Sequence, residues 1–213
     1  MRPEEYVRGD EDRLRKGIPA TRVAVISASA LSVGVSQRED TPCIVKARRL
    51  GIPIVRRSTG GLGIWHAPGD IVWSLVLPRS DGRVGPDFSK AYARLGTGPI
   101  RFLDALGVRA AWQPPLGLPT EYCLLSGRGS VLTVAGRALG GAAQHVTRSA
   151  LLHQGVLPYR LDPARLREVF ELSPDTVERA LTALEDVAPG VPPSVLADQL
   201  QSVLGSELEP DRD

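Results

Sequence analysis

Short apolar runs rich in β-branched residues dominate the chain up to about residue 160, and turn-forming residues separate them. These runs predict strands at Arg22–Gly34 (one or two strands), Ile52–Val55, Ile71–Leu77, Tyr122–Leu125, Ser130–Val134 and Ala150–Pro158. Apolar positions at helical spacing predict helices at Glu11–Lys16, at Thr41–Leu50 and twice within Ser89–Leu106. Because strands and helices alternate irregularly and several strands are close enough to form hairpins, we predict an α/β (α+β) fold with a mixed β-sheet flanked by helices.

The pattern changes at Leu161, after which three amphipathic helices are predicted. Asp162-Pro163 and Ser173-Pro174 each combine a capping side chain with a proline at the first helical position. We therefore expect one domain over residues 1–160 and a C-terminal helical extension over residues 161–213 that packs on it. The acidic tail, Glu207–Asp213, is expected to fray.

Composition and charge narrow the classes of partner. The chain has 213 residues, of which 42% are hydrophobic and 23% charged, as in an ordinary globular protein. A net charge of +2 gives little basis for nucleic-acid binding, and no run reaches the roughly 18 apolar residues of a membrane helix. The charged N-terminus is unlike a signal peptide, and two cysteines form no disulfide framework. We expect a reduced, cytoplasmic protein without a resident metal, a nucleic-acid partner or a membrane partner.

The segment from Val55 to Asp70 carries the most informative candidate chemistry. Arg56 and Arg57 lead into Ser58-Thr-Gly-Gly61, and His66 follows on what should be the next strand. Guanidinium groups beside a glycine-rich backbone suit the binding of a carboxylate or a phosphate. The segment is neither a Walker loop nor a dinucleotide fingerprint, and composition alone favours a hairpin turn with solvated arginines.

Two further segments, Gly136–Gln144 (GRALGGAAQ) and Leu151–Val156 (LLHQGV), follow in order. Together with RRSTGG…H in the first segment, they resemble the motifs of lipoate-protein ligases and octanoyltransferases in the biotin/lipoate ligase superfamily. The resemblance spans roughly residues 30–160, and it implies the mixed α/β catalytic domain of that superfamily over residues 1–160. It assigns the binding of the acyl substrate, lipoate or octanoate, to residues of all three segments: Arg56, Arg57, Ser58, Thr59, Gly60, Gly61, His66, Arg137, Ala138, Gly141, Ala142 and His153.

Two positions depart from the family pattern. The family's lysine, which contacts the acyl carbonyl and, in ligases, the adenylate phosphate, falls on Ala138. Arg137 is adjacent, but neighbouring residues on a strand point to opposite faces. In His153-Gln-Gly155 the histidine does not directly precede the glycine as it does in the family, so His153 is expected to be displaced from the family role.

Cys123 is the candidate nucleophile. It lies upstream of Gly136 at about the spacing at which the cysteine-dependent octanoyltransferases of this superfamily place theirs, and a thiolate there would hold the acyl chain as a thioester. The competing interpretation is an apolar cysteine that fills a strand position in the core, because cysteine is among the most buried residue types.

The resemblance implies three functions, which remain open at this point. The first is transfer of an octanoyl or lipoyl group to a lysine of a lipoyl-type carrier domain, with an acyl carrier protein as donor. The second is an ATP-dependent lipoate-protein ligase, to which Mg²⁺ would come with ATP. The third is a non-catalytic partner or lipoyl-binding subunit, which Ala138 alone supports.

Overall fold

The computed structural model describes residues 1–126 and 129–206 and contains two β-sheets. The larger sheet has six strands, and every neighbouring pair in it is antiparallel. Its spatial order is β1 (Ala20–Val25), β5 (Ile71–Pro78), β9 (Ala150–Leu157), β8 (Arg137–Val146), β7 (Val131–Val134) and β6 (Ala110–Gln113).

The smaller sheet has three strands, with β2 (Ala30–Val33) at its centre. This strand pairs in parallel with β3 (Ile54–Arg56) and antiparallel with β4 (Ile64–His66). The glycine-rich loop connects β3 to β4. The predicted class, an α+β fold with a β-sheet flanked by helices, is confirmed.

Helices lie before, between and after the strands. Their bounds are α1 (Pro3–Lys16), α2 (Pro42–Arg49), α3 (Phe88–Leu95), α4 (Thr97–Ala105), α5 (Cys123–Ser126), α6 (Pro163–Phe170), α7 (Pro174–Ala180), α8 (Leu184–Val187) and α9 (Pro193–Ser206). None of the helices in the described ranges is long and apolar enough to span a membrane.

Two local predictions were wrong, and two strands were missed. Helix α1 begins at Pro3 rather than Glu11, because proline and two glutamates suit a first turn, and it ends at Gly17, which adopts a φ of 64°. The predicted strand at Tyr122–Leu125 is the short helix α5, since a brief apolar run has no periodicity that separates the two structures. Strands β6 and β8 were missed. Alternate residues of the edge strand β6 are exposed, and β8 consists largely of glycine and alanine, so no apolar run marks either strand.

Side chains alternate between the two faces of the larger sheet, and each face carries a separate hydrophobic core. The inner face, which includes Val72, Val131 and Val156, is covered by the smaller sheet, α1, α2, α6 and α7. The outer face, which includes Trp73 and Leu151, is covered by α3, α4 and α9.

The C-terminal segment contacts the larger sheet at two places. The Gln201 side chain in α9 accepts a hydrogen bond from the backbone N–H of Val23 (2.9 Å) and donates one to Thr21 Oγ1 (2.8 Å) in β1. The backbone N–H of Thr182 donates to the carbonyl of Ala138 (3.0 Å) in β8. A domain boundary at residue 160 stays a prediction, and the tail expected to fray lies outside the described residues.

Candidate active site

A cleft lies between the inner face of the larger sheet and the smaller sheet. Its floor is one row of residues that are neighbours across four strands, in the order Val72, Val156, Gly141 and Val131. The three valines are at most 6% exposed, so the floor is apolar and largely shielded from water. A groove of this kind suits a hydrocarbon chain, since burial of each CH₂ group is favourable by about 0.8 kcal/mol.

Arg57 holds the glycine-rich loop over the cleft. Its Nη1 donates to Ser32 Oγ (3.1 Å), and its Nη2 donates to the carbonyls of Gly60 (2.9 Å) and Leu62 (2.8 Å). Burial lowers the pKa of Arg57 below its usual range, whereas the nearby Cys123 acts in the opposite direction. Among the described residues that line the cleft, Arg57 is the only Lys or Arg.

The loop approaches β2 closely because position 34 is glycine. A Cβ atom on Gly34 would stand 2.1 Å from the carbonyl oxygen of Gly61, a distance at which no side chain fits. The backbone of Val35 also donates to the carbonyl of Thr59 (3.0 Å). Gly34 is therefore required for the observed position of the loop.

Cys123 is half-buried and lines the same cleft. Its backbone N–H donates to the carbonyl of Gly63 (2.9 Å), and Tyr122 forms a parallel β-bridge with Gly63. A Cβ atom on Gly61 would lie 3.2 Å from Cys123 Sγ and 2.8 Å from Arg57 Nη2. The thiol and the guanidinium therefore face a common point beside the glycine-rich loop.

Gln154 supplies a polar contact that the sequence did not indicate. It lines the cleft from β9, and its Nε2 donates to Thr59 Oγ1 (2.8 Å). Ser74 and Ala143 are its cross-strand neighbours. This hydrogen bond ties the glycine-rich loop to the larger sheet.

His153, one residue earlier, faces the opposite side of β9. It is fully buried, with ring centroids 5.0 Å from Trp73 and 5.1 Å from Tyr92, and neither ring nitrogen has a partner among the described residues. Burial lowers its pKa to about 3, so the ring is neutral in the folded protein at neutral pH.

His66, by contrast, lines the cleft from β4. Burial lowers its pKa to about 3, and the neighbouring charge of Arg57 contributes to the same shift. It is therefore a neutral imidazole at physiological pH, able to accept or donate one hydrogen bond but carrying no charge.

Comparison with known proteins identifies the family. Residues 11–207 match the sequence model of the lipoyl protein ligase A/B catalytic domain.

This chain belongs to the lipoyl protein ligase A/B family.

Two relatives are named octanoyltransferase LipM. The protein from Exiguobacterium sp. is 28% identical over 180 residues, which cover 80% of this chain and 65% of the relative. The protein from Kyrpidia tusciae is 28% identical over an alignment of 215 positions, which covers 90% of this chain and 78% of the relative. The chain thus spans just under two thirds of the length of the Exiguobacterium protein.

Among solved structures, lipoate-protein ligase A bound with ATP superposes with a TM-score of 0.73 at 22% identity. The superposition covers 93% of this chain and 78% of that protein. At this identity the likeness concerns the fold alone. The superfamily resemblance found in the motifs is confirmed.

The lipoyl protein ligase fold brings only part of the assigned residues to the cleft. Arg57, His66, Cys123, Gly141 and Ala142 line it. Thr59, Gly60 and Gly61 form the loop above: Thr59 receives the Gln154 hydrogen bond, and Gly60 accepts from Arg57.

The other assigned residues lie elsewhere. Arg56 points away from the cleft, where it donates to the carbonyls of Gly34 and Gln37 (2.8 Å each) and pairs with Glu39. Ser58 and Arg137 are half-exposed and do not line the cleft, and neither does His153.

Ala138 also lies outside the cleft lining. It is 4% exposed, belongs to the inner core and forms a β-bridge with Leu181. It is nevertheless on the same side of β8 as Gly141, because the pairing of β7 with β8 is irregular between Leu132 and Thr133. The position to which the motif resemblance assigns the family's lysine is therefore on the cleft side of β8 but does not line the cleft.

Several cleft residues were missed at the sequence level. Ser32, Ile64 and Leu124 line the cleft from above, and Tyr6 and Val7 line it from α1. Within the described ranges, no group of three or more His, Cys, Asp and Glu side chains is placed to hold a metal ion.

Proposed function

We propose that this chain transfers an octanoyl or lipoyl group to a lysine of a lipoyl-type carrier domain through a thioester on Cys123. The observation that carries the proposal is the position of Cys123 Sγ, which faces the same point as the Arg57 guanidinium at the edge of an apolar cleft. The relatives named octanoyltransferase favour the same reaction.

In the first half of the reaction, the Cys123 thiolate attacks the thioester carbonyl of an acylated donor, such as an acyl carrier protein. The S–C bond to Cys123 forms, the oxygen takes up negative charge, and the donor thiolate leaves when the carbonyl reforms. Arg57 is the cation nearest to that developing charge among the described residues that line the cleft. The removal of one such stabilising group typically costs a factor of about 100 to 1,000 in rate.

In the second half, the uncharged amine of the carrier lysine attacks the thioester on Cys123. An amide bond forms, the C–S bond breaks, and the proton released by the amine goes to the sulfur, which restores the thiol. The apolar floor holds the acyl chain throughout, so that only the carbonyl changes its partner.

Two other functions compete with this proposal. An ATP-dependent ligase would form an acyl-adenylate with Mg²⁺ supplied with ATP, and it would need cations for the phosphate in addition to Arg57. A non-catalytic lipoyl-binding subunit is favoured by one observation, the alanine at position 138, which leaves the cleft without the family's lysine. Cytoplasmic localisation remains a prediction.

Intact-mass spectrometry tests the proposal directly. The purified chain is incubated with an octanoyl carrier protein, and separately with lipoate plus Mg-ATP. We expect an octanoyl adduct with the first donor, which is absent from Cys123→Ser and retained by Cys43→Ser. Cys43 is the matched control because it is fully buried and burial raises its pKa to about 12.

The other results point elsewhere. Acyl-adenylate formed only from lipoate and ATP would favour the ligase. An adduct that persists in Cys123→Ser would remove Cys123 from the reaction. Binding of octanoate without any adduct or adenylate would favour the binding subunit.

A further inference from the structure

The floor of the cleft has a defined length that can be compared with an acyl chain. Leu124, next to the candidate nucleophile, lies above β8, since a Cβ atom on Gly141 would stand 2.8 Å from Leu124 Cδ2. From β8 the floor crosses β9 at Val156 and reaches β5 at Val72. Two strand-to-strand steps of about 4.8 Å each give a path of about 10 Å.

The two ends of this path differ. Near Val131 the cleft is bordered by Pro115, Gly129 and Ser130, of which Gly129 is exposed and the other two are half-exposed. This end is the mouth. Tyr6, which is 5% exposed, also lines the cleft. It lies at the Val72 end, because its carbonyl accepts a hydrogen bond from Arg22 in β1, which pairs with Ser74 in β5. The path is therefore open at one end and closed by an aromatic ring at the other.

The closing ring is held in place from behind. The Arg22 guanidinium lies 4.4 Å from the centroid of the Tyr6 ring and donates to the Tyr6 carbonyl (2.9 Å). Asp10, which is 1% exposed, accepts hydrogen bonds from both Arg22 and Ser74 (2.9 Å each). A buried ion pair with an additional hydrogen bond resists displacement, because separation would leave a charge unpaired in the core. Helix α1 is thus fastened to β1 and β5 at the closed end.

We propose that Tyr6 sets the upper length of the acyl chain at about eight carbons. The inference rests on the proposed function, since it takes Cys123 as the point of attachment. An extended chain advances about 1.3 Å per carbon–carbon bond, so an octanoyl group needs about 9 Å and a dodecanoyl group about 14 Å. The path of about 10 Å accommodates the first chain, whereas the second would run into Tyr6.

The test compares acyl donors of different length on variants of α1. The rate of adduct formation on Cys123 is followed by intact mass with octanoyl, decanoyl and dodecanoyl thioesters. The native chain should react at least about tenfold more slowly with dodecanoyl than with octanoyl donors, which corresponds to about 1.4 kcal/mol. Tyr6→Ala should reduce this ratio to below about threefold, whereas Tyr6→Phe, which keeps the ring, should leave it unchanged.

Leu14→Ala is the matched control on the same helix. Leu14 is 4% exposed and packs against Val76, Ala150 and Leu152, away from the cleft. Its truncation loosens the docking of α1 without enlarging the cleft, so the chain-length ratio should stay as in the native protein. A second variant, Val7→Phe, adds bulk at the same end of the cleft and should shift the preference from octanoyl to hexanoyl donors.

The possible results separate this inference from the proposed function. If no donor of any length forms an adduct on Cys123, the proposed function fails. If octanoyl adducts form but Tyr6→Ala and Val7→Phe keep the native chain-length profile, Tyr6 is not the stop. If Leu14→Ala widens the range of accepted chain lengths as much as Tyr6→Ala does, the inference is likewise overturned. If Tyr6→Ala does not fold, Val7→Phe decides: a shift to shorter chains supports the closed end, and an unchanged profile rejects it.

Discussion

The replacement of His153 by leucine should make the protein more resistant to acid without impairing the site. In the fold this ring lies on the outer face of β9, fully buried between Trp73 and Tyr92, and its pKa is lowered to about 3 by burial. An unfolded chain takes up a proton on the same ring near a pKa of about 6.5. The folded-state pKa is therefore depressed, and the associated stability is present above about pH 6.5 and is lost as the pH falls towards 3.

The magnitude follows from the width of this window. About pH 5 is about 1.5 pH units below the unfolded-state pKa of about 6.5, so the ring is protonated in the unfolded state but not in the folded state. At about 1.36 kcal/mol per unit, the loss is about 2 kcal/mol. His153→Leu removes this loss, and it also removes a buried ring whose two nitrogens have no partner among the described residues. The free energy of unfolding of His153→Leu minus that of the native chain should therefore be about 2 kcal/mol larger at about pH 5 than at about pH 7.5.

Urea unfolding of the two proteins at both pH values measures this difference. Asp10, His66 and Asp70 titrate in both proteins, so their contributions cancel in the comparison. Leu151→Met, a change of shape in the same strand without a titrating group, should give a stability difference that does not depend on pH. If the stability difference between His153→Leu and the native chain is the same at both pH values, the claim that the ring is buried and neutral is refuted. A large loss of acyl transfer would refute its placement away from the cleft.

Two further predictions concern the loop and the family's lysine position. Gly34→Ala should slow acylation of Cys123 at least about tenfold, because its Cβ would displace the Gly61 carbonyl. Gly82→Ala is the control, since a Cβ at that position meets nothing within 4 Å. Equal acylation rates in the two variants would contradict the close approach of the loop to Gly34. Ala138→Lys should raise transfer to a lipoyl domain, measured by gel shift, at least about tenfold by supplying a cation to the carbonyl, whereas the uncharged Ala138→Met should not. If the lysine variant folds and the rate stays the same, the site has diverged by more than this one residue.

The sequence predicted β5 and β9 better than it predicted the other elements. Ile71–Leu77 and Ala150–Pro158 match β5 and β9 to within a residue, because mainly buried strands carry apolar residues at both of their ends. Tyr122–Leu125 was misassigned, since four apolar residues fit a buried helical turn equally well. Its conformation is set by the bridge between Tyr122 and Gly63, a contact between distant segments that local patterning does not contain.

The candidate site was predicted in part, and the failures have a common cause. The motifs indicated Arg57, His66 and Cys123 because the residue types themselves suggest chemistry. They indicated that His153 is displaced from the family role, but not that Gln154 faces the cleft instead, since a shift of one residue along a strand changes the face. Nor did they indicate Tyr6, which reaches the cleft only through the packing of α1 on the larger sheet. Register and helix docking are properties of the assembled fold.

The backbone hydrogen bond from Cys123 to Gly63 places the thiol on the side of the smaller sheet. The two backbone hydrogen bonds around it, from Cys123 to Gly63 and from Gly63 to Glu121, join its segment to the end of β4, whereas the valine floor belongs to the other sheet. An acyl chain bound to Cys123 and lying on Val156 would therefore link the two sheets a second time, beside the hydrogen bond from Gln154 to Thr59.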